Sequence, residues 1–245
     1  MAAFKITLAY DGTDFVGWQR QAEGVSIQGV LEDALREFDR SDVPVTGAGR
    51  TDAGVHALGQ VAGFTLARDF ASEIVVRALN AKLPETVRVL SAEEAPASFH
   101  ARFDARSKTY RYRIWNGDVL TPFERRYAWH VPAALDVDAM DAAARLLEGT
   151  HDFAAFQAGG SDVATTVRTI GQSTIRHSPS AMIEYDVTAN GFLRHMVRAI
   201  VGTLVEIGRG RRPPGWMRDV LASRDRSAAG RTSPARGLFL ERVEY

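Results

Sequence analysis

What most constrains this chain is the order in which two hydrophobic periods alternate along it. Phe4, Ile6, Leu8 and Tyr10 alternate with Lys5, Thr7 and Ala9, the period of two that marks a strand with one buried face. Asp11-Gly12-Thr13-Asp14 breaks it. Ser26 has the side chain of a helix cap, and Ile27, Val30, Leu31, Ala34, Leu35 and Phe38 then fall on one face of a helix. Val43-Pro44-Val45 leads into a short strand, a glycine-rich loop follows, and Gln60–Leu66 reads as a further strand. Ser72 is placed to cap a second helix through Ile74, Val75 and Leu79, and Val87–Leu90 closes this half as a strand. The predicted order is β-α-β-β-α-β, the split unit of ferredoxin-like domains.

The second half repeats that order without repeating the sequence. Ser107–Trp115 is a predicted strand, and Asp136 caps a helix carrying Met140, Ala143, Ala144 and Leu147 that Gly149 ends. Strands near Val167–Ile175 and Met182–Val187 precede a helix from Phe192 to Ile207, a short helix around Trp216–Leu221 and a terminal strand, Leu238–Val243. The expected fold is α+β: two tandem ferredoxin-like subdomains, residues 1–104 and 105–245. Their antiparallel sheets are expected to join into one extended sheet with a central cleft, the kind of place ligands favour.

Composition narrows the class. Apolar residues make up 45% and charged residues 24%, ordinary for a folded domain and unlike disordered, collagenous or coiled-coil chains. The absence of cysteine excludes disulfide scaffolds, thiolate zinc sites, iron–sulfur clusters and cysteine nucleophiles. No apolar run approaches the roughly 20 residues that span a bilayer, and Met1-Ala-Ala-Phe-Lys5 enters the first strand without an apolar signal segment. A cytoplasmic protein without membrane attachment is the expectation. Thirty basic residues balance thirty acidic ones, which hides an asymmetry. Residues 191–245 hold 11 arginines against 5 acids, a net +6, leaving −6 on residues 1–190. Only Lys5, Lys82 and Lys108 are lysines. Arginine's planar fork suits phosphate, so the basic stretch points to an anionic partner, although a GC-rich genome produces the same bias.

The densest cluster of unusual residues is Gly47-Ala48-Gly49-Arg50-Thr51-Asp52-Ala53-Gly54-Val55-His56. It is no dinucleotide fingerprint, because Asp52 stands where the third glycine belongs, and no Walker loop, because no Gly-Lys-Ser/Thr follows. What remains is a turn presenting Arg50, Asp52 and His56. Two readings of Asp52 stay open: an Asx-turn satisfied by local amides, or a nucleophile or general base. The second needs a fixed cation to keep the carboxylate ionised when substrate excludes water. Arg50 is one candidate. Arg194 and Arg198, one turn apart at the rim of the Leu193/Met196/Val197/Ile200/Val201/Leu204 stripe, supply others, with Arg198 the better ion-pair partner.

Tyr110, Tyr112 and Ile114 share a strand face. Tyr112 reads as core, whereas Tyr110, near the strand's start, reads either as core or as a base-stacking platform. His100, His151 and His195 read as structural, and Phe15–Arg20 as an exposed loop, a capping lid or substrate contact.

Over its whole length the chain resembles the TruA family of tRNA pseudouridine synthases. The resemblance rests on Tyr10–Gln19 (YDGTDFVGWQ), Gly49–Ala57 (GRTDAGVHA), Leu79–Pro84, Phe99–Phe103, Lys108–Tyr112, Gly149–Phe153, Phe192–Arg198 and Pro234–Leu238. It implies isomerisation of uridine to pseudouridine at positions 38–40 of the tRNA anticodon stem-loop, with no cofactor, no required metal and no further protein partner. It also implies a homodimer with tRNA lying across both subunits. By the same resemblance Asp52 is the catalytic aspartate, Tyr110 packs on the target base, and Arg50 and Arg198 are basic residues lining the site. Competing readings are a non-catalytic RNA-binding or tRNA-folding protein on the same scaffold, or another aspartate-dependent enzyme such as a nucleoside hydrolase.

Overall fold

A computed structural model describes residues 1–160, 163–178 and 180–245. It is a mixed α and β structure with mostly antiparallel strand pairing, and it divides into two compact units. One is Met1–Arg106 together with Phe239–Tyr245, and the other is Ser107–Leu238.

The first unit runs β1 (Ala2–Tyr10), α1 (Ile27–Asp39), β2 (Thr46–Gly47), β3 (His56–Leu66), α2 (Ser72–Lys82) and β4 (Val87–Ala95). The alternation in β1 is realised: Phe4, Ile6, Leu8 and Tyr10 are buried while the residues between them are half-buried. Ser26 caps α1 as expected, its hydroxyl accepting from the Gly29 N–H. Ile27, Leu31, Ala34 and Leu35 are then buried on one face, each large side chain contributing about 1.5–3 kcal/mol. The cap of α2 differs from expectation. Ala71 is the cap, and Ser72 is already helical because the amides of Ile74 and Val75 both reach the Ala71 carbonyl. β3 is longer than Gln60–Leu66, beginning at His56, and β4 extends past Leu90 to Ala95.

The second unit runs β5 (Ser107–Trp115), β6 (Trp129–His130), α3 (Val137–Arg145), β7 (Gly149–Asp152), β8 (Val167–His177), β9 (Met182–Ala189), α4 (Met196–Gly208) and α5 (Trp216–Ser223). Its strands order β5-β9-β8-β7, antiparallel, with β6 added parallel to β5. The repeat of the first half's order is therefore loose, since β6, β7 and α5 are additions. Asp136 caps α3 by accepting from the Ala139 N–H. Gly149 does not end α3. Tight i→i+3 bonds from Leu146, Leu147 and Glu148 close it after Arg145, and Gly149, at φ +101°, starts β7.

The predicted helix from Phe192 starts only at Met196. His195 sits at φ 60°, a left-handed conformation that no helix interior accepts, so residues 192–195 form a loop. Nor is the apolar surface of α4 a stripe: Arg198 and Glu206 alone among its residues escape full burial. The last strand, β10 (Leu238–Glu244), belongs with the first unit from Phe239 onward. It pairs parallel with β3 through Phe239–His56 and Leu240–Ala57, so that unit's sheet orders β4-β1-β3-β10, with β2 also paired to β3. Among the described residues no helix is long and apolar enough to cross a membrane.

Candidate active site

In the first unit, residues 48–55 link β2 to β3 and are held from two sides. Beneath them is a buried polar network. The Tyr10 hydroxyl meets Thr51 Oγ1 at 2.8 Å, and Gln60, fully buried, donates through Nε2 to the Gly49 carbonyl at 2.9 Å. Burial pushes the Tyr10 phenol up to about 12, opposed by its bonds to Thr51 and Gln60, so it stays a neutral hydrogen-bonding group.

Beside the loop lie residues 12–18; of Phe15–Arg20, which the sequence presents as an exposed loop, a lid or substrate contact, the structure buries Phe15, Gly17 and Trp18 and leaves Arg20 exposed. Phe15 and Trp18 are 8% and 3% exposed. The Trp18 amide donates to the Thr51 carbonyl at 3.0 Å, and Gly17 forms an antiparallel bridge with Asp52. The approach is too close for side chains. A Cβ on Gly12 would lie 2.0 Å from the Val55 carbonyl oxygen, and one on Gly17 would lie 2.6 Å from that of Thr51. The segment is therefore a clamp, and periodicity gives no sign of it.

The clamped loop turns back on itself at residues 52–55, the Val55 N–H bonding the Asp52 carbonyl. This leaves Arg50 exposed and Asp52 half-buried. His56 is not presented beside them. It is 1% exposed, stacks on Phe239 at 4.7 Å and accepts the Gly12 N–H at Nδ1.

Tyr110 and Arg198 belong to the second unit. Tyr110 lies on β5 opposite Val187 of β9, and its ring meets Phe192 edge-on at 4.9 Å. Arg198, the third residue of α4, donates from Nε to the Ser233 carbonyl at 2.8 Å, while the Ser233 amide donates back to the Arg198 carbonyl. That exchange, with the bond from the Gly230 amide to Thr203 Oγ1, lays residues 230–233 along α4. Arg194 is not in register with Arg198. It stands outside the helix, exposed, and donates to the Gly159 carbonyl.

The arrangement also gathers two arginines to which the sequence reading gave no role. Tyr112 is buried, and its hydroxyl donates to the Pro234 carbonyl at 2.7 Å. Burial holds its phenol well above the usual range, opposed by Ser233 and by the charges of Arg198, Arg236 and Arg231. Arg231 lies over the Trp129 ring at 5.0 Å, and Arg236 donates to the Ala128 carbonyl at 3.2 Å. Both are exposed, and neither neutral partner cancels their charge. Arg236 stands within the quoted Pro234–Leu238 segment, the one signal that marked it. Of the histidines, His151 holds the Glu148 carbonyl and His195 supplies the left-handed turn before α4. Among the described residues no group of three or more His, Asp or Glu is arranged to hold a metal ion.

The model of a family described as tRNA pseudouridine synthase matches residues 6–104 and 143–245. Three curated relatives, each called tRNA pseudouridine synthase A, match along the whole chain. The protein from Moorella thermoacetica is 48% identical, covering 100% of both chains. That from Pelobacter propionicus is 46% identical over 100% of both, and that from Methylacidiphilum infernorum is 45% identical over 100% of this chain and 96% of its own. With a clamped Gly-Arg-Thr-Asp loop in one unit and a tyrosine strand beside gathered arginines in the other, the chain belongs to the tRNA pseudouridine synthase family.

Proposed function

We propose that the protein converts uridine to pseudouridine at positions 38–40 of the tRNA anticodon stem-loop, with Asp52 as its essential group. The observation that carries this reading is the clamped loop. The loop that carries half-buried Asp52 is held by bonds from Trp18 and Tyr10 to Thr51 and from Gln60 to Gly49, in a family whose reaction is an isomerisation of tRNA uridine.

A uridine in the stem hides its glycosidic bond, so the nucleotide must first leave the stack, at a cost of a few kcal/mol. Arg50, exposed two residues before Asp52, holds the extruded nucleotide's phosphate or fills its vacancy. Asp52 then attacks sugar or base, or removes a proton from the ribose, and the C1′–N1 bond breaks. The uracil turns and rejoins C1′ through C5; the proton lost from C5 is matched by one gained at N1, so no co-reactant is consumed. Tyr110 stacks on the uracil, and Arg198 is a further basic residue lining the site. The finer fold that accompanies this reading, two tandem ferredoxin-like subdomains, is supported by the β-α-β-β-α-β order of the first unit. A cytoplasmic homodimer with tRNA across both subunits completes it.

The test is to incubate purified protein with unmodified tRNA and map pseudouridine chemically. Parent protein modifies positions 38–40, while Asp52→Asn binds tRNA and makes none. Pseudouridine from Asp52→Asn would remove the aspartate from its role. Failure of the parent to modify the tRNA it binds would leave a binding protein, and release of free uracil would make it a hydrolase.

A further inference from the structure

We propose that the turn His100–Asp104 is a preformed stacking platform for an unpaired base of the RNA substrate other than the target uridine. This rests on the tRNA-modifying function proposed above. Phe103 leaves 74% of its surface exposed, although it is a large apolar side chain. Its ring is nevertheless positioned. His100 lies against it at 4.2 Å between centroids and 28° between planes, and the Arg102 guanidinium is 5.6 Å from its centre. With the imidazole against it and the Arg102 guanidinium over it, the Phe103 ring still leaves most of its surface to solvent.

The backbone beneath is fixed by its own bonds. His100 Nδ1 accepts from the amides of Arg102 and Phe103, both at 3.2 Å. The His100 amide donates to Asp104 Oδ2 at 2.8 Å, and the Asp104 amide returns to the His100 carbonyl at 3.0 Å. The turn is also moored to the sheet. Ala101 is fully buried with its carbonyl taking the Tyr245 hydroxyl at 2.7 Å, and the Phe99 ring fills the space beside Gly63. A largely exposed ring that needs no ordering on binding, with a guanidinium over it, matches a nucleotide: a flat base to stack on the aromatic and guanidinium planes and a phosphate for the cation. Gly63 lies seven residues along β3 from His56, roughly 23 Å at about 3.3 Å per residue. In this proposal the base docked there is a second one, distinct from that held at the Asp52 loop, and its role is to set the position of the tRNA.

The experiment compares Phe103→Ala and Phe103→Trp with the parent in tRNA binding, steady-state kinetics, thermal melting and sedimentation. Phe103→Ala should weaken tRNA binding about tenfold, within a span of roughly 5- to 150-fold. KM should rise with kcat and melting temperature unchanged, and Phe103→Trp should restore both affinity and KM. Because no charge is removed, the slope of affinity against salt should stay that of the parent. Affinity and KM within twofold of the parent overturn the proposal, as does a loss that Phe103→Trp fails to restore. A change in sedimenting mass with unaltered tRNA affinity also overturns it, assigning the ring to a protein contact. If the parent binds tRNA but makes no pseudouridine, the enzymatic reading fails while the binding comparison still judges the platform.

Discussion

At Gly17 the chain holds φ +108° while passing against the Thr51 carbonyl, so two separate demands meet at one residue. The left-handed backbone costs any L side chain about 1–2 kcal/mol, and a Cβ would press on backbone that has no rotamer with which to yield. Gly17→Ala should therefore lower stability by about 2 kcal/mol or more. The loss should fall hardest on function, because what gives way is the bridge to Asp52 and the bond from the Trp18 amide to the Thr51 carbonyl. Denaturant unfolding alongside single-turnover pseudouridine formation checks this: the expected result is a slower chemical step even at concentrations where the variant is fully folded. A variant as active as the parent would show that the clamp does not position the carboxylate. His56 makes the complementary point. A histidine directly after the Asp52 loop invites assignment to chemistry, yet burial between Gly12 and Phe239 makes it a strut for that loop.

Elements in the second unit are pinned by side chains at their ends. Asp152, the last residue of β7, accepts from the Ala154 amide and the Thr166 hydroxyl while pairing with Arg224 just past α5. The Thr166 hydroxyl most of all, then the Ala154 amide and Arg224, hold its carboxyl below the usual value against partial burial, which raises it. A carboxyl depressed in the folded state stabilises above its unfolded pKa of about 3.9, and that contribution is lost as pH falls through the folded value. Asp152→Asn should thus cost about 1 kcal/mol at pH 7, the Arg224 part being small because that guanidinium is largely exposed. The gap between variant and parent in urea unfolding should close below about pH 4. A gap that persists into acid would mean that shape, not charge, is at stake. The ends of elements are also where sequence and structure part. α1 and α3 were legible because a capping side chain stands directly before an apolar period. β6 and β7, two and four residues long, carry too few positions for a period to register, and they exist through pairing with β5 and β8. At α4 the helix was legible but its start was not, since apolar spacing runs through Phe192 and Leu193 while His195 breaks the backbone. That error carried Arg194 into a register with Arg198 that it does not have.

For the molecule as a whole, equal numbers of acids and bases give no net pull on an anionic polymer, so any attraction to tRNA depends on which charges are already spent. From sequence the basic stretch after residue 190 points only to an anionic partner, without sorting its members; in the structure its arginines divide. Arg209 and Arg211 share Glu206, Arg224 faces Asp152 and Arg242 faces Glu244, so each of these guanidiniums is paired with a carboxylate. Arg226 and Arg236 bind backbone carbonyls, and Arg231 covers an indole ring, which positions each charge without cancelling it. No periodicity separates the two groups, because the division depends on residues 230–236 lying against α4 and Tyr112. It has a measurable consequence. Each phosphate neutralised contributes about 0.7–0.9 to the slope of log affinity against log salt. Arg231→Ala and Arg236→Ala should each flatten the tRNA-binding slope by close to one such step, whereas Arg211→Ala, removing a charge already paired, should leave it unchanged. Melting curves guard the comparison, since Arg236 also braces the Ala128 carbonyl, and a folded Arg236→Ala with the parental slope would return the cluster to a purely structural role. Equal flattening by all three variants would instead mean that the stretch acts as undifferentiated positive charge, and that the sorting of its arginines by their internal partners has no bearing on how tRNA is held.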